Sequence, residues 1–367
     1  MRNFRNLLAL ALLVTTSLEA TAAPVFPTRP GRESNNANTT RLRVLTYNVQ
    51  NLFDTEDDPS TSDDDFTPKG AQVWTERVLR DKIMNIGRVI LESEADVVGL
   101  VEIENEAILK RLVSEGLKNA FPHMVLAATK DPRGIRTALI SKHPIVSSQS
   151  HAMDRGPLNG RGTRDILEVA LRLPNGAQVA AFVNHWPARS NEPTRPAQRT
   201  EAAKILSERM TATLRSNARA LAVAMGDFND ELGDVPFERG MRLVDKIDDL
   251  VTGGLGSFFA LDSELLSLKP EERGTHYFHP EKSWSTLDHM LVGAGSDAAR
   301  NPLSARIKYK GGSIQVYRHS LVPTTGIPEG CEILGARGGR APSNPRAACP
   351  KGSSDHLPVY ADFEFVR

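Results

Sequence analysis

Apolar and polar positions along the chain predict many strands and few helices. Leu42-Arg43-Val44-Leu45-Thr46-Tyr47 is an alternating, β-prone run that stops at polar Asn48. Thr75–Glu92 places Val78, Leu79, Ile83, Ile86, Val89 and Ile90 at helical spacing, with Thr75 as the N-cap. Asp96–Glu102 is a continuous apolar run of buried-strand character that ends in a carboxylate. A helix follows from about Asn105 to Lys118. Strands are then expected at Met124–Ala127, Thr137–Ser141, Ile166–Leu173 and Gln178–Asn184, the last two joined by the hairpin signal Asn175-Gly176. Pro196–Leu214 reads as an amphipathic helix, and Leu221–Met225 as a buried strand ending at Gly226-Asp227-Phe228-Asn229. Later strands fall at Leu287–Val292, Ala305–Tyr309, Ile314–Tyr317 and Leu357–Phe365, while 250–282 and 320–352 read as irregular loops. Hairpins and helix crossovers together imply two packed sheets with helices outside.

The first residues stand apart from this pattern. Arg2 and Arg5 precede the short apolar run Leu7–Val14, and Ala20-Thr21-Ala22 supplies small residues for cleavage before Ala23. A run of about eight residues spans only about 12 Å as a helix, against a hydrocarbon core of about 30 Å. Residues 1–22 therefore read as a cleaved signal peptide, and the protein as secreted or periplasmic. Residues 23–40 form a Pro- and Asn-rich leader, and 41–367 a single domain.

Charge narrows the chemistry. The chain has 45 Lys and Arg against 45 Asp and Glu, so there is no global positive excess with which to clamp phosphates. Phosphate chemistry here would lean on a metal or a local site. Seven of the twelve residues from Asp54 to Asp65 are acidic; their spacing fits no EF-hand, and a solvated surface loop is the expectation. Cys331 and Cys349 lie in a Gly/Pro/Arg-rich stretch. Export permits a disulfide between them, closing a loop of about 19 residues and contributing about 3 kcal/mol; the alternative is two unpaired thiols.

Polar residues recur where strands begin and end. Asn48, Glu102, Asn184-His185, Asp227-Asn229 and Asp288 sit at or just past a strand, and Asp355-His356 precede one. Each alone has a structural explanation as a cap, a turn or a core histidine. Together they offer carboxylates, amides and imidazoles with almost no thiol, a donor set for Mg²⁺, Mn²⁺ or Ca²⁺. Asp227 can deprotonate a water molecule, Asn229 can steady the attack, His356 can stabilise phosphoryl charge, and His185 can protonate a leaving oxygen. That combination describes metal-assisted phosphoester hydrolysis.

The motifs Thr46-Tyr47-Asn48, Gly99-Leu100-Val101-Glu102, Asn184-His185-Trp186, Gly226-Asp227-Phe228-Asn229, Ser285-Thr286-Leu287-Asp288 and Ser354-Asp355-His356 resemble those of the endonuclease/exonuclease/phosphatase superfamily, the DNase I-like metal-dependent phosphoesterases. They occur in that family's order across 42–365. The resemblance implies a four-layer α/β/β/α sandwich with two central sheets. It further implies Glu102 as principal metal ligand with Asn48 beside it, Asp355 at the metal or water site, Asp227 at the attacking water and Asn229 on the phosphate. Asp288 and His356 would form a carboxylate–histidine pair, and His185 would take the place of a histidine acid.

Two departures stand out. Gln50 occupies a position where some members place an Asp at a metal, and Gly134-Ile135-Arg136 carries Arg136 where a more acidic residue is expected. Arg161 and Arg164 in Asn159–Arg164 are candidate phosphate contacts. The expected function is an exported Mg²⁺-dependent phosphodiesterase acting on DNA or RNA. The alternatives are a phospholipid or sphingomyelin phosphodiesterase, a small-molecule phosphatase, and a catalytically inactive binding module. A lipid enzyme would need an exposed apolar hairpin, for which Leu255–Ser267, with Phe258 and Phe259, is the candidate.

Overall fold

The computed structural model describes residues 39–190, 192–278, 281–297, 306–322 and 354–366. The leader segment 1–22, most of 23–40, and Cys331 and Cys349 lie outside them. In chain order the strands are β1 (Thr39–Leu52), β2 (Val97–Ile103), β3 (His123–Leu126), β4 (Arg136–Ser141), β5 (Ile145–His151), β6 (Ile166–Arg172), β7 (Gln178–His185), β8 (Leu221–Asp227), β9 (Phe259–Ala260), β10 (His276–Phe278), β11 (Ser283–Ser285), β12 (Asp288–Ala294), β13 (Ile307–Tyr309), β14 (Gln315–Val316) and β15 (Val359–Val366). One sheet runs β13-β15-β1-β2-β4-β3, with β14 also on β15; the second runs β5-β6-β7-β8-β12-β9. β10 and β11 form a separate hairpin.

Side-chain alternation builds the layers. In β2, Val97 and Val101 face the second sheet while Val98 and Leu100 face outward. In β8, Val223 and Met225 face the first sheet, and Ala222 and Ala224 face outward. Both faces are buried, so these strands read as unbroken apolar runs. Gly99 lets the sheets approach, since a Cβ there would stand 2.7 Å from Met225 Sδ.

Helices cover both outer faces. α1 (Glu76–Glu92) starts at Thr75, whose side chain accepts from Val78 N–H, and lays Leu79, Ile83, Ile86 and Ile90 on the first sheet. α2 (Glu106–Arg111) is capped by Asn105. α3 (Arg195–Ser216) packs Ala202, Leu206 and Met210 against the second sheet. The result is the four-layer α/β/β/α sandwich, with one apolar cluster between the sheets and one beneath each helical layer. Among the described residues no helix is long and apolar enough to cross a membrane.

Strand direction then collects the polar ends. β1 and β2 run parallel at the centre of one sheet, as do β7 and β8 in the other, so Asn48, Glu102, His185 and Asp227 end at one edge. β12 runs antiparallel to β8 and begins there, pairing Asp288 with Asp227. β15 runs antiparallel to β1 from Val359 opposite Thr46, so the preceding His356 arrives at the same edge.

Several local expectations are corrected. β1 already begins at Thr39, inside the expected leader. The helix expected to Lys118 is α2 followed by a π turn at Leu112–Gly116, where Gly116 packs against Gly87 of α1. β5 went unpredicted because it is an exposed edge strand with polar Ser147, Ser148 and Gln149. Segment 250–282 contains short helices and β9 and β10. Within it Phe258 and Phe259 are buried core residues, 0% and 4% exposed. The acidic loop is partly internal: Asp63 is buried, and Asp54 N–H donates to Glu104.

Candidate functional site

Bulges and left-handed backbone aim the side chains at this edge. β2 loses register with β1 and β4 around Glu102, whose φ is +67°. Such a conformation costs a non-glycine residue about 1 kcal/mol or more and must be held by its surroundings. Here Asn51 N–H, itself at φ +56°, donates to Glu102 Oε2 at 2.7 Å. Asn229 adopts φ +54°, and its N–H donates to Asp227 Oδ1 at 2.9 Å while its Nδ2 is anchored on Trp186 O. Gly226, at φ +136°, lets β8 pass β7, since a Cβ would lie 2.0 Å from Asn184 O.

Asp227 is the focus. Its Oδ2 lies 3.1 Å from Asn48 Nδ2, 3.7 Å from His185 Nε2 and 3.8 Å from His356 Nε2. Burial pushes its carboxyl up to about 7, opposed by His356 and assisted by Asp288 and Glu102. His356 Nδ1 pairs with Asp288 Oδ2 at 2.7 Å. Burial disfavours its charge, but Asp288 and Asp227 outweigh that and hold the imidazole well above its usual range. His185 goes the other way: burial, then Arg164 and Arg133, hold it well below. Its surroundings thus disfavour the charged ring at His185, while those of His356 favour it.

Other expected residues are placed as follows. Asn48 turns its amide nitrogen toward Glu102 and Asp227, while its Oδ1 accepts Gln50 N–H. The amide nitrogen thus orients the two carboxylates, and the second lone pair of Oδ1 is left for an ion. Asp355 lies 4.0 Å from His276 Nε2 and acts electrostatically on His356. Arg164 is not a surface phosphate donor: it is buried, with Nη1 on Asp131 and Nη2 on Trp186 O. Arg161 donates its backbone N–H to Leu158 O, and its side chain forms no hydrogen bond or ion pair with a site residue among the described residues. Arg136 lines an acidic cleft with Asp54, Asp58 and Glu104, away from Asp227.

Three contributors carry no assigned role in the sequence reading, although Ser354 lies in one of its motifs. Ser354 Oγ donates to Asn48 O and accepts His356 N–H, tying β1 to the histidine. Thr275 Oγ1 accepts the N–H groups of Leu287 and Asp288. Lys82 is buried and electrostatically coupled to Asp355 and Glu102. Its signal was legible: it sits in the apolar stripe of Leu79, Ile83 and Ile86, where a lysine needs a partner inside.

The donor set suits a hard divalent cation. Four carboxylates (Glu102, Asp227, Asp288 and Asp355) meet at this edge, and the buried Asp288 Oδ1 has no hydrogen-bond partner. No three His, Cys, Asp or Glu side chains among the described residues form a ready ion cage. Mg²⁺ does not require one, because one or two carboxylates with water and substrate oxygens suffice.

Comparison with known proteins extends the fold assignment. TDP2 from D. rerio, in a structure with a single-strand DNA product, is 14% identical and superposes with a TM-score of 0.54, covering 88% of this chain and 99% of that one. An endonuclease/exonuclease/phosphatase from Bacteroides vulgatus is 15% identical, with a TM-score of 0.52 and coverage of 89% and 99%. One from Beutenbergia cavernae is 16% identical, with a TM-score of 0.52 and coverage of 89% and 72%. No curated protein matches the chain. The sequence profile of the endonuclease/exonuclease/phosphatase family matches residues 43–364, and the chain belongs to that family.

Proposed function

We propose that the chain is an exported phosphodiesterase that hydrolyses DNA or RNA with the help of a divalent cation, Mg²⁺ first and Mn²⁺ or Ca²⁺ as alternatives. The observation that carries this reading is the buried Asp227 carboxylate set between His356, His185 and Asn48 beside Glu102. Asp227, with a proton affinity near neutrality, accepts the proton of the attacking water. Asn229 N–H fixes which oxygen of Asp227 faces that water. His356, held protonated by Asp288, stabilises charge on the phosphoryl oxygen. His185 donates a neutral hydrogen bond from the opposite wall. A cation held by Glu102 and Asp355 would add Lewis-acid stabilisation of the phosphate.

Nucleic acid is favoured over lipid because the apolar segment a lipid enzyme would expose has Phe258 and Phe259 in the core. A protein of the same fold has been solved with a single-strand DNA product, which supports the same direction. Export rests on Arg2, Arg5, Leu7–Val14 and Ala20–Ala22, and N-terminal sequencing of the mature protein tests it.

The functional test is hydrolysis of bis(p-nitrophenyl) phosphate and nicking of supercoiled plasmid, with Mg²⁺ or with EDTA, beside His356→Ala. Metal-dependent cleavage lost in the variant is the expected result. Cleavage that survives both EDTA and the substitution would refute this mechanism.

A further inference from the structure

One positive charge at the rim of the site lacks an acid of its own. Buried Arg164 takes Asp131 Oδ2 at 3.0 Å. The nearest acid to Arg133 is the other oxygen of the same carboxylate, with Nε 3.4 Å from Asp131 Oδ1. Within ion-pair distance, one carboxylate therefore serves two guanidinium groups. Arg133 is the exposed member of the pair, 41% accessible against 8% for Arg164.

Its position is defined. The tight turn Asp131–Gly134 carries it, closed by Gly134 N–H on Asp131 O with Gly134 at φ +81°. Nη1 reaches Asn51 Oδ1 at 3.5 Å, and Asn51 is the residue whose N–H holds Glu102. Nη2 has no partner among the described residues. The charge is felt at His185 but makes no contact with Asp227 or His356. The guanidinium thus stands beside the reacting centre, linked to Glu102 through Asn51. The other arginines nearby are committed: Arg164 is buried, and Arg136 bonds Gly134 O and faces the acidic cleft.

We infer that Arg133 forms a phosphate subsite that flanks the reacting centre and takes the phosphate next to the scissile one in a polynucleotide strand. The inference rests on the nucleic-acid reading above and narrows it to a substrate carrying more than one phosphate. A planar fork with a free edge suits phosphate, and a positive charge at a rim adds a salt-sensitive, sequence-independent contribution to binding.

The test is binding, so that turnover does not enter it. The full-length mature protein is titrated against a fluorescein-labelled single-stranded oligodeoxynucleotide in EDTA, with anisotropy read at several salt concentrations. Arg133→Ala should weaken binding about tenfold at low salt and reduce the slope of log K against log salt by about one. Arg133→Lys should recover most of the loss in affinity. Arg88→Ala, on the outer face of α1, removes the same charge and should leave both quantities at wild-type values. Wild-type affinity and slope in Arg133→Ala, or no oligonucleotide binding by the wild type, would overturn the subsite. Failure of the hydrolytic reading is seen separately, as absent metal-dependent cleavage of bis(p-nitrophenyl) phosphate.

Discussion

Asp227 and His356 face each other across 3.8 Å, carboxylate Oδ2 to imidazole Nε2, yet each is held from behind by a different part of the fold. Asn229 N–H fixes the carboxylate, and Asp288 fixes the imidazole. The gap is too long for a hydrogen bond and leaves both groups directed at a shared space. Two groups prepared for opposite proton tasks, one buried carboxyl near neutrality and one imidazolium, are what general acid–base chemistry requires.

The pair should therefore act as a unit. Asp227→Asn and His356→Ala should each lower kcat on bis(p-nitrophenyl) phosphate by about 10²–10⁴-fold. The double variant should be little worse than the weaker single one, because the second substitution removes a group that no longer works. Additive losses in a double-mutant cycle would show that the two act separately.

Metal dependence separates the ligand from the acid. Glu102→Gln should raise the Mg²⁺ concentration for half-maximal activity by about 10–100-fold, with partial recovery at excess metal. His356→Ala should show no such recovery. A Glu102→Gln enzyme with the wild-type metal titration curve would remove Glu102 from the ion site.

Stability should depend on pH through His289. This imidazole is 0% exposed, with Nδ1 on Asp262 and Nε2 on Asp230 O, both at 2.7 Å. Burial alone would lower it, but Asp262 overrides that and raises it to about 9. Its unfolded value is about 6.5. A raised folded value means the contribution is complete below about pH 6.5 and fades as pH rises through about 9. Thermal midpoints from pH 6 to 9.5 should fall over that window in the wild type and less steeply in Asp262→Asn. Parallel profiles would assign the pH dependence to other groups.

Gly226 should tolerate no side chain. Its φ of +136° and a Cβ position 2.0 Å from Asn184 O leave alanine no space without moving β7 from β8. Gly226→Ala should cost about 3 kcal/mol or more in denaturant unfolding and displace the adjacent Asp227. A cost below about 1 kcal/mol would show that the β7–β8 contact relaxes freely.

The layers were legible in the residues because both central sheets bury two faces. Val97–Val101 and Leu221–Met225 are unbroken apolar runs buried on both faces, as strands between two packed layers are. The stripe of α1 was equally plain. β5 was not, because an exposed edge strand carries no apolar period, and the π turn after α2 was hidden because Leu112 and Val113 fit an α-helical face as well.

For the site, the residues themselves settle which groups are present: Glu102, Asp227, Asp288 and His356 at strand boundaries, with almost no thiol to compete. Only the assembled fold decides what each can do. Whether His185 or His356 carries the proton depends on which ring lies against Asp288 and which lies near Arg133 and Arg164, groups 21 to 68 residues away from the ring they act on. Arg164 reads as a surface cation until Asp131 and Trp186 enclose it. Residue type sets the available chemistry; burial and long-range partners set its charge state and direction.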